Sequence, residues 1–134
     1  MCLIYNKKLT EQKLDFFKKH NIKEIIVWKV LDKNYHNVKY FSPYQSMEYK
    51  IGINICGKSK KNIFKMRNNS GYIVIEEGAL HVWGSRIKAR KKIHFNVIEK
   101  VIRCRVKVTD IIAYGTGNDI AVKALYIDKF SEKE

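Results

Sequence analysis

Arginine is placed unevenly in this chain. All five arginines (Arg67, Arg86, Arg90, Arg103 and Arg105) fall between positions 67 and 105, while 22 lysines are spread throughout. A guanidinium grips phosphate or carboxylate at two points through a planar fork, whereas lysine is a flexible point charge. Arg86, Lys88, Arg90, Lys91 and Lys92 crowd into one short stretch, with Arg86/Arg90 and Lys88/Lys92 at i,i+4. On a helix such like-charge pairs each cost roughly a few tenths of a kcal/mol, a cost that a bound polyanion removes. Arg103, Arg105 and Lys107 alternate, so a strand would set them on one face. Lys58, Lys60 and Lys61 form a third group. Residues 50–107 hold 15 basic and three acidic side chains, a balance of +12, against +4 for residues 1–49 and −2 for 108–134. The expected partner is nucleic acid or a nucleoprotein complex, with an acidic protein surface as the alternative. Trp83, beside Gly84, adds a flat ring able to stack on a base.

Catalytic patterns are weaker. The four His and three Cys never take structural-zinc spacing, and carboxylates are too few in the basic region for a two-metal nuclease. Glu48-Tyr49-Lys50 with Asp32 upstream is a minimal nuclease-like pattern made of common residues. Gly115-Thr-Gly117 has neither a P-loop lysine nor a dinucleotide-binding spacing and reads as a turn. No cofactor is expected. A metal-free ribonuclease remains as an alternative, with His81 or His94 moving the proton and Arg103 and Arg105 stabilising the phosphorane.

The elements that must position these residues read as follows. Thr10 caps a helix to about His20 with Leu14 and Phe17 inward, and Asn21 takes the left-handed exit. Ile22–Leu31 reads as a central strand covered on both faces. Tyr49 to Cys56 alternates, placing Tyr49, Ile51, Ile53 and Ile55 on one face. Short strands are expected at 63–67, 72–76 and 79–83, the last with Ala79, His81 and Trp83 on one face. Ser85 caps a short basic helix from Arg86 to about Ile93. A strand from Ile98 to Val108 turns Ile102, Cys104 and Val106 inward, Asp110–Tyr114 extends it, and Ile120–Ile127 is the last strand. The fold class is α+β, a mostly antiparallel sheet with an N-terminal helix and a short basic helix.

The chain of 134 residues has 46% hydrophobic content and 12% aromatics, too rich for disorder, and one Pro and seven Gly exclude collagen-like classes. One domain is expected over residues 1–127, with a polar tail at 128–134. Cys2, Cys56 and Cys104 are odd in number and far apart, which fits a reducing compartment rather than a disulfide framework. No basic-then-apolar leader begins the sequence, and no apolar run approaches the roughly 20 residues needed to span a bilayer. A cytoplasmic protein is expected, in a host cell if viral, with no membrane partner. Lys, Ile and Asn contribute 22, 18 and 10 residues, a bias of AT-rich coding that accounts for abundant lysine but not for clustered arginine.

Three stretches resemble the core of ADP-ribosyltransferases: Ile26-Val27-Trp28-Lys29, the segment from Gly78 through His81, Trp83 and Ser85 to Ala89, and Asn118-Asp119-Ile120-Ala121-Val122. The resemblance places Lys29 where the family has His or Arg and Asp119 where it has the catalytic Glu, and so implies a degenerate, non-catalytic member, with an ADP-ribosyltransferase-like enzyme as the alternative. A second likeness is carried by Ser42-Pro43-Tyr44, Tyr49-x-x-Gly52, Gly78-x-x-His81-Val82 and the segment Val106 to Gly115. It is similar to small accessory proteins of phages and mobile elements. It implies a non-enzymatic, host-takeover role such as inhibition of a host defence system of the anti-CRISPR type.

Overall fold

The computed structural model describes residues 3–36, 38–42, 47–55, 65–69, 72–77, 79–93 and 99–130. In chain order these form β1 (Leu3–Asn6), α1 (Lys7–Lys19), β2 (Glu24–Asn34), β3 (Lys39–Phe41), β4 (Glu48–Tyr49) and β5 (Gly52–Ile55). There follow β6 (Lys65–Asn69), β7 (Tyr72–Glu77), β8 (Leu80–Trp83), α2 (Arg86–Arg90) and β9 (Glu99–Lys107). A 3-10 turn at Val108–Asp110 leads to β10 (Ile111–Tyr114), β11 (Asp119–Val122) and β12 (Ala124–Ile127). All pairings are antiparallel, in the order β5-β12-β9-β2-β8-β11-β10-β1-β7-β6, with β3 beside β2 and β4 beside β3. The sheet dominates an α+β architecture, with two α-helices among the described residues.

Helix α1 begins three residues before the expected cap. Asn6 is the N-cap and its side chain accepts from the Leu9 amide at 2.8 Å. Thr10 is instead buried; its hydroxyl donates to the Asn6 carbonyl at 2.7 Å and accepts from the Tyr114 amide at 2.9 Å. The favourable pair Thr10-Glu11 hid the true start, because a local cap signal does not reveal that a hydroxyl is used across the fold. The C-terminus follows expectation. Asn21 has φ 55°, the Ile22 amide donates to the Phe17 carbonyl and the Asn21 amide to the Lys18 carbonyl, which is the Schellman closure.

The larger of two core clusters lies on one face of the sheet, where Val27, Leu31, Leu80, Val82, Ile102 and Cys104 meet Phe17 of α1 and Tyr40 and Tyr49 of the β3–β4 hairpin. Strand β9 behaves as its alternation requires, with Ile102, Cys104 and Val106 buried and Arg103 and Lys107 exposed. Two expectations change. The segment after β9 breaks at the 3-10 turn, so β10 is a separate strand pairing with β11 and β1. The last strand divides at Lys123 into β11 and β12, which lie far apart in the sheet order. Just past β12, Phe130 stacks on Tyr40 with centroids 4.0 Å apart.

The largest correction concerns residues 49–55. Tyr49 is buried, but Ile51, Ile53 and Ile55 face outward. Gly52 adopts φ 102°, a left-handed conformation that bends the chain between β4 and β5. Buried Asn54 holds the bend: its amide donates to the Lys50 and Gly52 carbonyls and its oxygen accepts from the Lys50 amide. The bend reverses the parity that an unbroken strand would keep.

Candidate nucleic-acid interface

Partners across an antiparallel ladder share a sheet face. The register Arg103↔Trp28, Trp28↔Trp83 and Trp83↔Asp119 therefore builds one transverse row on the face opposite the core. With strands about 4.8 Å apart, a row of four spans roughly 14 Å. Both tryptophans are half-buried and Arg103 is exposed. The Lys92 ammonium stands 5.3 Å above the Trp83 ring. Gly84 lets the end of β8 close on the β10–β11 turn: its amide donates to the Asn118 carbonyl, and a β-carbon there would stand 2.6 Å from the Asn118 side-chain oxygen.

A neighbouring row places Arg105 between Ile26 and Tyr126. Arg105 is already engaged. Its Nε and Nη2 donate to the two Asp128 oxygens, each at 2.8 Å, and Nη1 donates to Glu24 at 3.2 Å. Its guanidinium also lies 4.4 Å from the Tyr126 ring centroid. Hydrogen bonds from Arg105 hold the Asp128 carboxyl below its usual range, and donating to Asp128 and Glu24 raises the guanidinium still further. The row Arg103, Arg105, Lys107 shares one face as its alternation requires, but its middle member clasps two acids.

Beside Trp83 on the same face sits His81, with ring centroids 5.0 Å apart in a T-shaped contact. The Tyr5 hydroxyl and His81 Nδ1 are hydrogen bonded at 2.7 Å. Tyr5 is buried in a second, smaller cluster with Ala79, Ala113 and Ala121. Burial, then the charge of Lys29, pushes the His81 imidazole down to about 4, against an opposing pull from Asp119. Burial, then Asp119, raises the Tyr5 phenol. At neutral pH both are uncharged.

Lys29 takes the other face. It pairs with Ile102 and lies in the core between Val27 and Leu31, 6% exposed. Its ammonium donates to the His81 backbone carbonyl at 2.7 Å and stands 5.7 Å from the Tyr49 ring centroid. Strand β2 meets β8 at Trp28↔Trp83 and pairs with β3 from Asp32 onward, so Lys29 serves a carbonyl where the two strands part. Burial lowers its pKa to about 8, opposed by Cys104; burial raises the Cys104 thiol to about 12, opposed by Lys29. Lys29 and Asp119 are thus on opposite faces of the sheet.

The other basic residues are dispersed. Ser85 caps α2, its hydroxyl accepting from the Lys88 amide at 3.4 Å, and the helix ends at Arg90 rather than Ile93. Ala89 is buried while Lys88, Arg90, Lys91 and Lys92 are exposed and Arg86 is half-buried. Lys58, Lys60, Lys61 and His94 lie outside the described residues, as does the side chain of Arg67, whose backbone belongs to β6. Among the described residues no group of three His, Cys, Asp or Glu side chains stands where it would hold a metal ion. Among the described residues no helix is long and apolar enough to cross a membrane. Trp28, Tyr126 and the Tyr5–His81 pair were missed by sequence reasoning; the outward parity of Trp28 relative to Val27 was the available signal. The chain matches no protein-family model, no curated protein and no solved structure.

Proposed function

We propose that this protein is a non-catalytic binder of nucleic acid, alone or within a nucleoprotein, and that it grips a single strand across β9, β2 and β8. The observation that carries the reading is the row Arg103–Trp28–Trp83 with Lys92 above Trp83, aromatic rings interleaved with cations on one sheet face. Bases stack on such rings irrespective of sequence, and flanking cations take the phosphates. Lys107, exposed at the end of the arginine row, and the exposed lysines of the α2 region extend the positive field. A phage or mobile-element setting, with inhibition of host defence, belongs to the same proposal and rests on the sequence likeness alone.

The two catalytic alternatives have less support. A transferase would need Lys29 and Asp119 in one cleft, and they face opposite sides of the sheet. A metal-free ribonuclease would use His81 or His94 as base; a pKa near 4 and the bond to Tyr5 make His81 a weak one, and His94 lies outside the described residues.

Tryptophan fluorescence titrated with a single-stranded oligonucleotide tests the proposal. Quenching is expected, with log affinity falling against log salt at a slope of about −4 if about six phosphates are contacted. Absence of binding at low salt, or a flat salt dependence, overturns it.

A further inference from the structure

We propose that the outer face of β5 and β12 docks an acidic partner protein that inserts apolar side chains. Ile51, Ile53 and Ile55 are 56%, 71% and 41% exposed, and Tyr126 is 37% exposed. The pairing Ile53↔Tyr126, followed by Tyr126↔Arg105, makes them one patch continuous with the arginine row. Isoleucine is among the residues most often buried, and three in alternation facing outward mark a contact surface. Their outward direction is built into the fold: the positive φ of Gly52 and three hydrogen bonds of Asn54 maintain the bend that turns them away from the core.

Charge selects the occupant. Lys50, exposed, flanks Ile51, and exposed Lys107 stands on the same face of β9. Glu24 and Asp128, at the Arg105 end of the patch, are both bound to Arg105. Counting Lys50, Lys107 and Arg105 against Glu24 and Asp128, these charges stay positive by one, and the chain carries a net +14. A second copy would meet like charge, whereas an acidic protein is attracted. Isoleucine offers bases neither a ring to stack on nor a hydrogen bond, so this patch is separate in kind from the tryptophan row, and the inference stands whether or not nucleic acid binds.

The test is calorimetry of the full chain against three synthetic peptides that alternate Glu with Ile, Lys with Ile, and Glu with Ser. Binding is expected for the Glu/Ile peptide alone, and Ile53→Ser, at a side chain already mostly in water, is expected to weaken it about tenfold or more. Lys50→Glu is expected to weaken it as well. Failure of the Glu/Ile peptide to bind, or equal binding of the Lys/Ile peptide, overturns the proposal. So does a dimer in sedimentation velocity, or binding to phosphatidylserine vesicles, that Ile53→Ser abolishes, since either assigns the patch to another occupant.

Discussion

The two faces of β2 and β9 treat cations in opposite ways. On the core side Lys29 is enclosed, and its ammonium is tolerated because it serves the His81 carbonyl. On the outer side Arg103 sits in water next to Trp28, and Arg105 is held by two carboxylates. A buried charge must be neutralised or hydrogen bonded by the fold itself, so it is committed to structure. An exposed charge retains its hydration and is available to a ligand. The lesson is that a basic side chain in this sequence is a binding residue only if its strand parity turns it outward and no acid has claimed it.

The sharpest way to break that contrast is at neighbouring positions. Ile102→Ala is expected to cost about 3–4 kcal/mol of stability in urea denaturation through lost burial and a residual cavity. Arg103→Gln, one residue on, is expected to change stability by less than about 0.5 kcal/mol while weakening oligonucleotide binding. Equal destabilisation would erase the distinction between the faces.

Next in size is the stacking platform. Trp83→Ala is expected to lose about 1–3 kcal/mol of binding, about 5- to 150-fold, in the fluorescence titration. Trp83→Phe should keep most of the affinity, because the ring survives. A Trp83→Ala protein that is folded and binds normally would remove Trp83 from the interface.

The buried lysine sharpens the other side of the contrast through pH. Folded Lys29 releases its proton near 8, whereas in the unfolded chain it keeps it to its ordinary 10.5. Between these values the unfolded chain binds more protons, so stability rises with pH through this window. From pH 8 to 9 wild type is expected to gain about 1 kcal/mol relative to Lys29→Met, which lacks the titrating group. The raised pKa of Cys104 acts in the opposite sense above its ordinary 9.0, and both proteins carry that thiol. Parallel pH profiles would mean that Lys29 is not enclosed as described.

The smallest effect tests the clasp. Asp128→Asn weakens the hold on Arg105 and is expected to tighten oligonucleotide binding about threefold, with the salt slope steeper by about 0.7 for one added phosphate contact. Unchanged affinity would mean that Glu24 alone suffices to hold the guanidinium.

What was legible in the sequence was local. The alternation Ile102/Cys104/Val106 against Arg103/Arg105/Lys107 is a property of one strand, and it survives folding because side chains on a strand must alternate. Asn21 and Ser85 act at helix ends through groups only a few residues away, so they too were readable. Thr10 and Asn54 were not, because each spends its hydrogen bonds where the fold rather than the neighbouring sequence needs them. The parity of Ile51, Ile53 and Ile55 hinged on one bend at Gly52. Clustered arginine and the surplus of positive charge were likewise written in the chain. The interface itself was not, since it depends on register between residues that are 55 and 75 positions apart. Register is decided by packing of the whole core face. That packing set Trp28 between Arg103 and Trp83, turned Lys29 inward, and brought Glu24 and Asp128 to Arg105 from opposite ends of the chain.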